Sequence, residues 1–196
     1  MTWLVVGLIL FLGSHSIRIF ADPMRDQLVA RLGAGPWRGI YSLVALAGLI
    51  LICISYGGAE RAAPGFLWPR PVFGTPLAAL FTWGAFVLIG SSHGPLNHVK
   101  TLINDPMVTG VGLWSAAHVV VHPTAAGLVL FGGFLGWSVI DLMSLVKRRA
   151  LSEPADAGQP KLRATLIGLV AGTALWALFA FFLHHLLFGV SPFGAQ

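Results

Sequence analysis

Two histidines, His15 and His118, each lie inside a stretch of sequence apolar enough to cross a membrane. An ionisable side chain inside a bilayer is costly unless it faces the protein interior and has a partner, so its presence there points to function. Neutral imidazole ligates metal ions and haem iron through a ring nitrogen. The two histidines are therefore candidate ligands of a metal or a haem. The residues alone leave one alternative for His15, a hydrogen bond to a neighbouring helix.

The composition of the chain defines the class of protein that must position these histidines. Hydrophobic residues make up 56% of the 196 residues and charged residues only 10%, and the mean hydropathy is +0.81. Because water-soluble domains carry about 25% charged residues, these values exclude a soluble globular protein. The single cysteine, Cys53, excludes a disulfide framework and a cysteine metal cluster.

Six apolar segments predict an all-α bundle of about six transmembrane helices, formed by residues 1–196 as a single membrane domain. A bilayer core needs about 20 residues of helix, and the fourth segment is shorter than this because Pro123 ends it. Residues 152–160 read as a solvated linker. The segments are 2–20, 40–56, 75–91, 108–121, 125–145 and 165–190.

The positions of the twelve lysines and arginines predict the orientation of the bundle. They concentrate in the first and fifth loops, at 25–38 and 147–163, while the fourth loop has none. The positive-inside rule then places loops one, three and five in the cytoplasm and both chain termini outside. The net charge of +5 indicates this topology and contact with anionic lipids of the bilayer, and no basic pattern suggests nucleic acid.

Segment counting places the two histidines on opposite sides of the membrane midplane. His15 lies about four residues to the cytoplasmic side of its helix midpoint and His118 about four to the outer side of its own, or roughly 6 Å each. A shared site therefore requires that the fourth helix begin later than Val108 or that tilted helices present the two ligands obliquely.

Four stretches of the sequence resemble the NnrU family of bacterial membrane proteins, whose domain is shared with 15-cis-zeta-carotene isomerase. The resemblance covers nearly the whole chain, and its most specific part is the proline, glycine and tryptophan series that ends at His118. The stretches are 14–18, 35–43, 105–118 and 130–134.

The resemblance implies a haem b site in a multi-pass protein of the bacterial inner membrane. In the carotene isomerase, a histidine of the first motif and the histidine that ends a Trp-x-x-x-His motif are the iron ligands. These positions correspond here to His15 and His118. Arg18, one turn after His15 on the same helix face, can pair with a haem propionate or equally extend to lipid headgroups. Trp114 can line the cofactor pocket.

The family name implies support of denitrification, by sensing, electron delivery or assembly around nitrite and nitric oxide reduction, with a redox partner. The alternatives are a haem-dependent carotenoid or polyene isomerase and a cofactor-free transporter or structural protein. Ser115 stands where a cysteine has been proposed as an alternative iron ligand in the isomerase, so thiolate ligation is excluded here. The chain also departs from the family at Asp105, usually histidine, and at His122-Pro123, commonly Asn-Gly.

The remaining histidines suggest weaker alternatives. His118 and His122 with His184 and His185 could bind a metal ion, although the last two also suit an interfacial anchor. With His93 and His98 they are similar to the histidine boxes of diiron oxygenases, but the predicted topology separates the boxes across the membrane. Small-residue patterns at 132–136 and 168–172 predict close helix contacts.

Overall fold

The computed structural model describes residues 1–150 and 158–193 of the chain. Every regular element in that part of the chain is helical, which confirms the predicted all-α class. Most of the predicted linker 152–160 lies outside the described residues. The elements are α1 (Thr2–Phe20), α2 (Asp22–Leu32), α3 (Ala34–Ala62), α4 (Gly74–Ser91), α5 (His98–Leu102), α6 (Pro106–Val121), α7 (Ala125–Ala150), α8 (Leu162–Leu178), a π-helical segment (Phe179–Leu183) and α9 (His184–Phe188).

Five helical stretches are long and apolar enough to cross a membrane, and α6 is a sixth, shorter apolar helix. This agrees with the prediction of five clear segments and one short one. The last stretch runs without a break through α8, the π-helical segment and α9, so one span includes three consecutive elements. The chain is therefore a multi-pass helical membrane protein.

Helix α2 is an element that the hydropathy pattern did not predict. It contains no buried residue, so it leaves no apolar stripe in the sequence. Its local signals are Pro23 in its first turn and Gly33 after its end, where φ is +85°. Proline is favoured at helix starts and glycine at positive φ after helix ends.

Helix α6 begins earlier than its apolar run, not later. Asp105 caps it, because the Asp105 carboxylate accepts a hydrogen bond of 3.0 Å from the backbone N–H of Val108. Pro106 occupies the first helical position, where its missing N–H costs nothing. The later start that would have moved His118 toward the helix midpoint is therefore wrong. The departure from the family at Asp105 has a structural role as a helix cap.

The described helices form two compact units, Met1–Pro69 with His122–Asp141 and Arg70–Val121 with Leu142–Gln196. In the first unit, α1 and α3 pack closely where Gly7 meets Gly48. A Cβ added at Gly48 would lie 2.6 Å from the backbone nitrogen of Phe11. The first part of α7 joins α1 through the rings of Phe11 and Phe134, whose centroids are 5.6 Å apart.

In the second unit, α4 contacts both α6 and α8 through small residues. A Cβ at Gly110 of α6 would lie 2.8 Å from the carbonyl oxygen of Ala85, and one at Gly172 of α8 would lie 2.6 Å from that of Phe86. The close contact predicted for 168–172 is confirmed. The one predicted at Gly136 is wrong, because a Cβ there meets nothing within 4 Å.

Two indole–hydroxyl hydrogen bonds also join α4 to α8. Trp83 Nε1–H donates to Thr173 Oγ1 and Trp176 Nε1–H donates to Thr82 Oγ1, each at 3.1 Å. Interhelical hydrogen bonds of this kind contribute about 0.6 kcal/mol each in a membrane protein.

We expect Trp176→Phe and Thr82→Val each to lower the free energy of unfolding by about 0.6 kcal/mol. The double variant should lose less than the sum of the two single losses, because both substitutions remove the same hydrogen bond. Unfolding in mixed micelles with increasing SDS measures these energies. Fully additive losses would show that the two side chains do not interact.

Candidate functional site

His15 lies in the last third of α1, within the first unit. Its Nδ1 is 2.7 Å from the carbonyl oxygen of Phe11, one helical turn earlier. Since a carbonyl can only accept, Nδ1 carries the hydrogen and the Nε2 lone pair remains for a ligand. Ser14 Oγ lies 3.4 Å from Nδ1. Both polar neighbours of His15 Nδ1 belong to α1, so the structure does not support the predicted alternative of a bond to another helix.

Aromatic rings from three helices surround the His15 imidazole. Phe11 of α1 lies 4.4 Å away between centroids, Tyr41 of α3 5.3 Å and Trp137 of α7 6.0 Å. The Trp137 ring is nearly perpendicular to the imidazole, at 86°. Rings in contact on several sides restrict the orientation of the imidazole.

Two apolar grooves run along α1 beside this cluster. The groove between α1 and α7 has a volume of about 410 Å³ and is bordered by Trp137 and Gly13. The groove between α1, α2 and α3 has a volume of about 350 Å³ and is bordered by Tyr41 and Ser14. Trp137 and Tyr41 also contact His15, which itself borders neither groove. The size and apolar lining of the grooves suit a flat hydrophobic ligand.

His118 lies in α6, within the second unit, and has the same local geometry as His15. Its Nδ1 is 2.8 Å from the carbonyl oxygen of Trp114, again one turn earlier. The Trp114 indole packs against the imidazole with centroids 4.9 Å apart. The structure therefore brings together two of the predicted site residues, His118 and Trp114.

The remaining predicted residue, Arg18, is exposed in the last turn of α1, one turn after His15. This position is compatible with either predicted role, a propionate partner or a lipid headgroup anchor. Ser115, where the isomerase has a cysteine, is fully buried and donates its hydroxyl to the Val111 carbonyl at 2.8 Å. Its side chain is therefore engaged within α6.

A hydrogen bond between Thr124 and Glu60, near the end of α3, was not predicted from the sequence. The Thr124 hydroxyl donates to Glu60 Oε1 at 2.6 Å and accepts from the backbone N–H of Gly127 at 2.9 Å, which caps α7. Helix α3 was predicted to end at Tyr56, which would have placed Glu60 in a loop. The usable signal was Thr124 itself, a threonine just before an apolar run.

Three of the other five histidines make hydrogen bonds outside the candidate site. His93 Nδ1 approaches the Ile89 carbonyl at 3.1 Å, His98 Nδ1 pairs with Thr165 Oγ1 at 2.8 Å, and His184 Nδ1 donates to the Val190 carbonyl at 2.8 Å. Within residues 1–150 and 158–193, no group of three or more His, Cys, Asp or Glu side chains is arranged to hold a metal ion. The structure thus gives no support to the histidine-box alternative.

The helices and their apolar spans define the class, a multi-pass helical membrane protein. His15 of a spanning helix and His118 of the shorter apolar helix α6 are held in the same tautomer. The particular family follows from comparison with family models. The NnrU model, described as NnrU protein, matches residues 3–192. The chain therefore belongs to the NnrU family. No curated protein and no solved structure is significantly similar to it.

The donor set fits a haem. Haem-ligating and metal-ligating histidines commonly donate the ring N–H that faces away from the metal to a backbone carbonyl, which fixes the tautomer and raises the basicity of the other nitrogen. Both His15 and His118 make this hydrogen bond. An apolar groove beside His15 adds a surface on which a macrocycle can lie.

Proposed function

We propose that this NnrU-family protein binds haem b through His15 and His118 and supports denitrification in the bacterial inner membrane. The observation that carries the proposal is the shared tautomer of the two histidines. Each donates Nδ1–H to the carbonyl four residues before it, at 2.7 and 2.8 Å, and directs the lone pair to Nε2. Exposed His93 makes the same contact at 3.1 Å, and what distinguishes His15 and His118 is that they hold this tautomer inside apolar helices against aromatic rings.

The chain's own residues would orient the ligand and exclude water from it. The Phe11 and Trp114 carbonyls fix the two imidazoles in the ligating tautomer. Tyr41 and Trp137 limit rotation of the His15 ring and provide apolar walls. Bound haem would supply one-electron transfer, the chemistry favoured when two imidazoles occupy both axial positions.

Among the three roles that the family name suggests, electron delivery to a nitrite- or nitric oxide-reducing partner agrees best with this ligand set. Sensing a gas requires an open or exchangeable axial position. The isomerase alternative lacks a supporting observation, because Ser115 replaces the cysteine proposed as an iron ligand there and its hydroxyl is bonded to Val111.

The absorption spectrum of the purified protein tests the proposal. We expect a Soret band and resolved α and β bands of low-spin six-coordinate haem after co-expression with haem synthesis, or after titration of the apoprotein with hemin. The expected stoichiometry is one haem per chain. If neither route gives a Soret band above that of hemin in detergent alone, the haem proposal is wrong and a cofactor-free role replaces it.

A further inference from the structure

The carbonyl oxygen of Phe11 is approached by three hydrogen-bond donors. The backbone N–H of His15 reaches it as part of α1. His15 Nδ1–H lies 2.7 Å from it, and the Ser14 hydroxyl donates to it at 2.8 Å. A carbonyl oxygen has two lone pairs. The three hydrogen bonds therefore compete for the same acceptor.

Ser14 is well placed to affect His15 through this shared acceptor. It is 8% exposed, so its hydroxyl has little access to another partner. Its direct approach to His15 Nδ1 is 3.4 Å, longer than an effective hydrogen bond. Competition at the Phe11 carbonyl is therefore its stronger influence on the imidazole.

The nearest serine to His118 along α6 bonds a different carbonyl from the one that His118 uses. Ser115, the serine closest to His118 along α6, donates to the Val111 carbonyl at 2.8 Å. The carbonyl that receives His118 Nδ1–H is that of Trp114. The two candidate ligands share a tautomer but differ in how strongly a serine weakens the supporting hydrogen bond.

We infer that Ser14 is a positioning residue that lowers the ligand strength of His15 by sharing the Phe11 carbonyl. A weaker Nδ1–H···O=C bond leaves the imidazole less electron-rich, and a less electron-rich axial ligand favours the reduced iron. The inference rests on the proposed haem function. It also implies that the buried side chain of Ser14 helps to set the reduction potential of the bound haem.

The test is the midpoint potential of the haem-loaded protein, titrated with dithionite and ferricyanide in the presence of mediators. We expect Ser14→Ala to strengthen the bond between His15 and Phe11 and to lower the equilibrium constant for reduction threefold to tenfold. This corresponds to a potential more negative by about 30 to 60 mV, at 59 mV per tenfold for one electron. Ser14→Thr keeps the hydroxyl and should keep the wild-type potential.

Ser55→Ala is the matched control, because the Ser55 hydroxyl of α3 donates to the Leu51 carbonyl four residues earlier at 2.6 Å, and Ser55 neither shares the acceptor of His15 nor borders the two grooves beside it. It should leave the potential unchanged. Equal potentials for wild type and Ser14→Ala, or equal shifts for the two alanine variants, would overturn the inference while a Soret band still supports the haem proposal.

A second measurement does not require haem. In the apoprotein labelled with ¹⁵N-histidine, the His15 Nδ1–H proton should move downfield in Ser14→Ala, because a stronger hydrogen bond deshields it. An unmoved proton would contradict the sharing of the carbonyl. Absence of haem from every preparation would instead reject the proposed function.

Discussion

Replacing either His15 or His118 by alanine is expected to abolish the low-spin six-coordinate spectrum of the haem-loaded protein. Each substitution removes one of two axial imidazoles and leaves five-coordinate, high-spin iron or releases the haem. Loss of an outer-shell partner already costs 10–100-fold in metal affinity, so loss of a ligand should lower haem affinity at least about 10-fold. Absorption and electron paramagnetic resonance spectra distinguish the spin states, and hemin titration gives the affinity.

His93→Ala is the matched control for both variants. His93 Nδ1 also approaches the carbonyl four residues earlier, that of Ile89 at 3.1 Å, but His93 is exposed at the end of α4. This variant should retain the wild-type spectrum. Millimolar imidazole should restore a low-spin spectrum to His15→Gly and to His118→Gly by filling the vacated position. An unchanged spectrum in either alanine variant would reject that histidine as a ligand.

Hydropathy predicted the spanning helices because lipid favours apolar side chains along the whole of a spanning helix, whatever the tertiary neighbours of each residue are. All six predicted segments coincide with helical stretches of the structure, although the last stretch ends at Phe188, two residues before the predicted end. Helices without an apolar stripe were not predicted. Helix α2 has no buried residue, so its existence depends on local end signals at Pro23 and Gly33 and not on an apolar stripe.

The helix ends were harder to predict than the helices, and this affected the candidate site. Helix α6 was predicted from its apolar residues alone, although Asp105 and Pro106 form a capped start before that run. Helix α3 passes through Gly57 and Gly58 and ends at Ala62. Because two consecutive glycines resemble a helix end, Glu60 and its bond to Thr124 were not anticipated.

The residue type and its position inside an apolar segment were enough to predict His15 and His118 as candidate ligands from the sequence. Their tautomer could also have been predicted, because an imidazole in a helix can donate a hydrogen bond to the carbonyl one turn before it. Two of the three rings around His15 belong to Tyr41 and Trp137, which are far away in sequence. No spacing rule predicts such contacts, since they depend on how α1, α3 and α7 pack.

Glycine patterns show the same limit, because spacing alone does not reveal which small residues support a close helix contact. Gly168 and Gly172 were predicted as contact residues and are, and Gly136 was predicted on the same ground and is not. The equally close pair Gly7 and Gly48 was not predicted, because neither has a second glycine three or four residues away in its own helix. Close approach depends on the facing helix as much as on the motif.

Gly172→Ala is therefore expected to be strongly destabilising, while Gly136→Ala is not. A Cβ at Gly172 would lie 2.6 Å from both the Phe86 carbonyl oxygen and the Val87 Cα. These are backbone atoms of α4, so α4 and α8 must separate to admit the methyl group. Overpacking of this kind costs about 1–3 kcal/mol, and separation of the helices also weakens the Trp83–Thr173 and Trp176–Thr82 hydrogen bonds.

Unfolding of the two variants in mixed micelles with increasing SDS measures the difference. Gly136→Ala adds a methyl group with no atom within 4 Å and improves helix propensity by up to about 1 kcal/mol, so its free energy of unfolding should equal or exceed that of the wild type. Gly172→Ala should unfold at a clearly lower SDS fraction. Equal midpoints for the two variants would mean that α4 and α8 do not approach as closely as the backbone distances at Gly172 require.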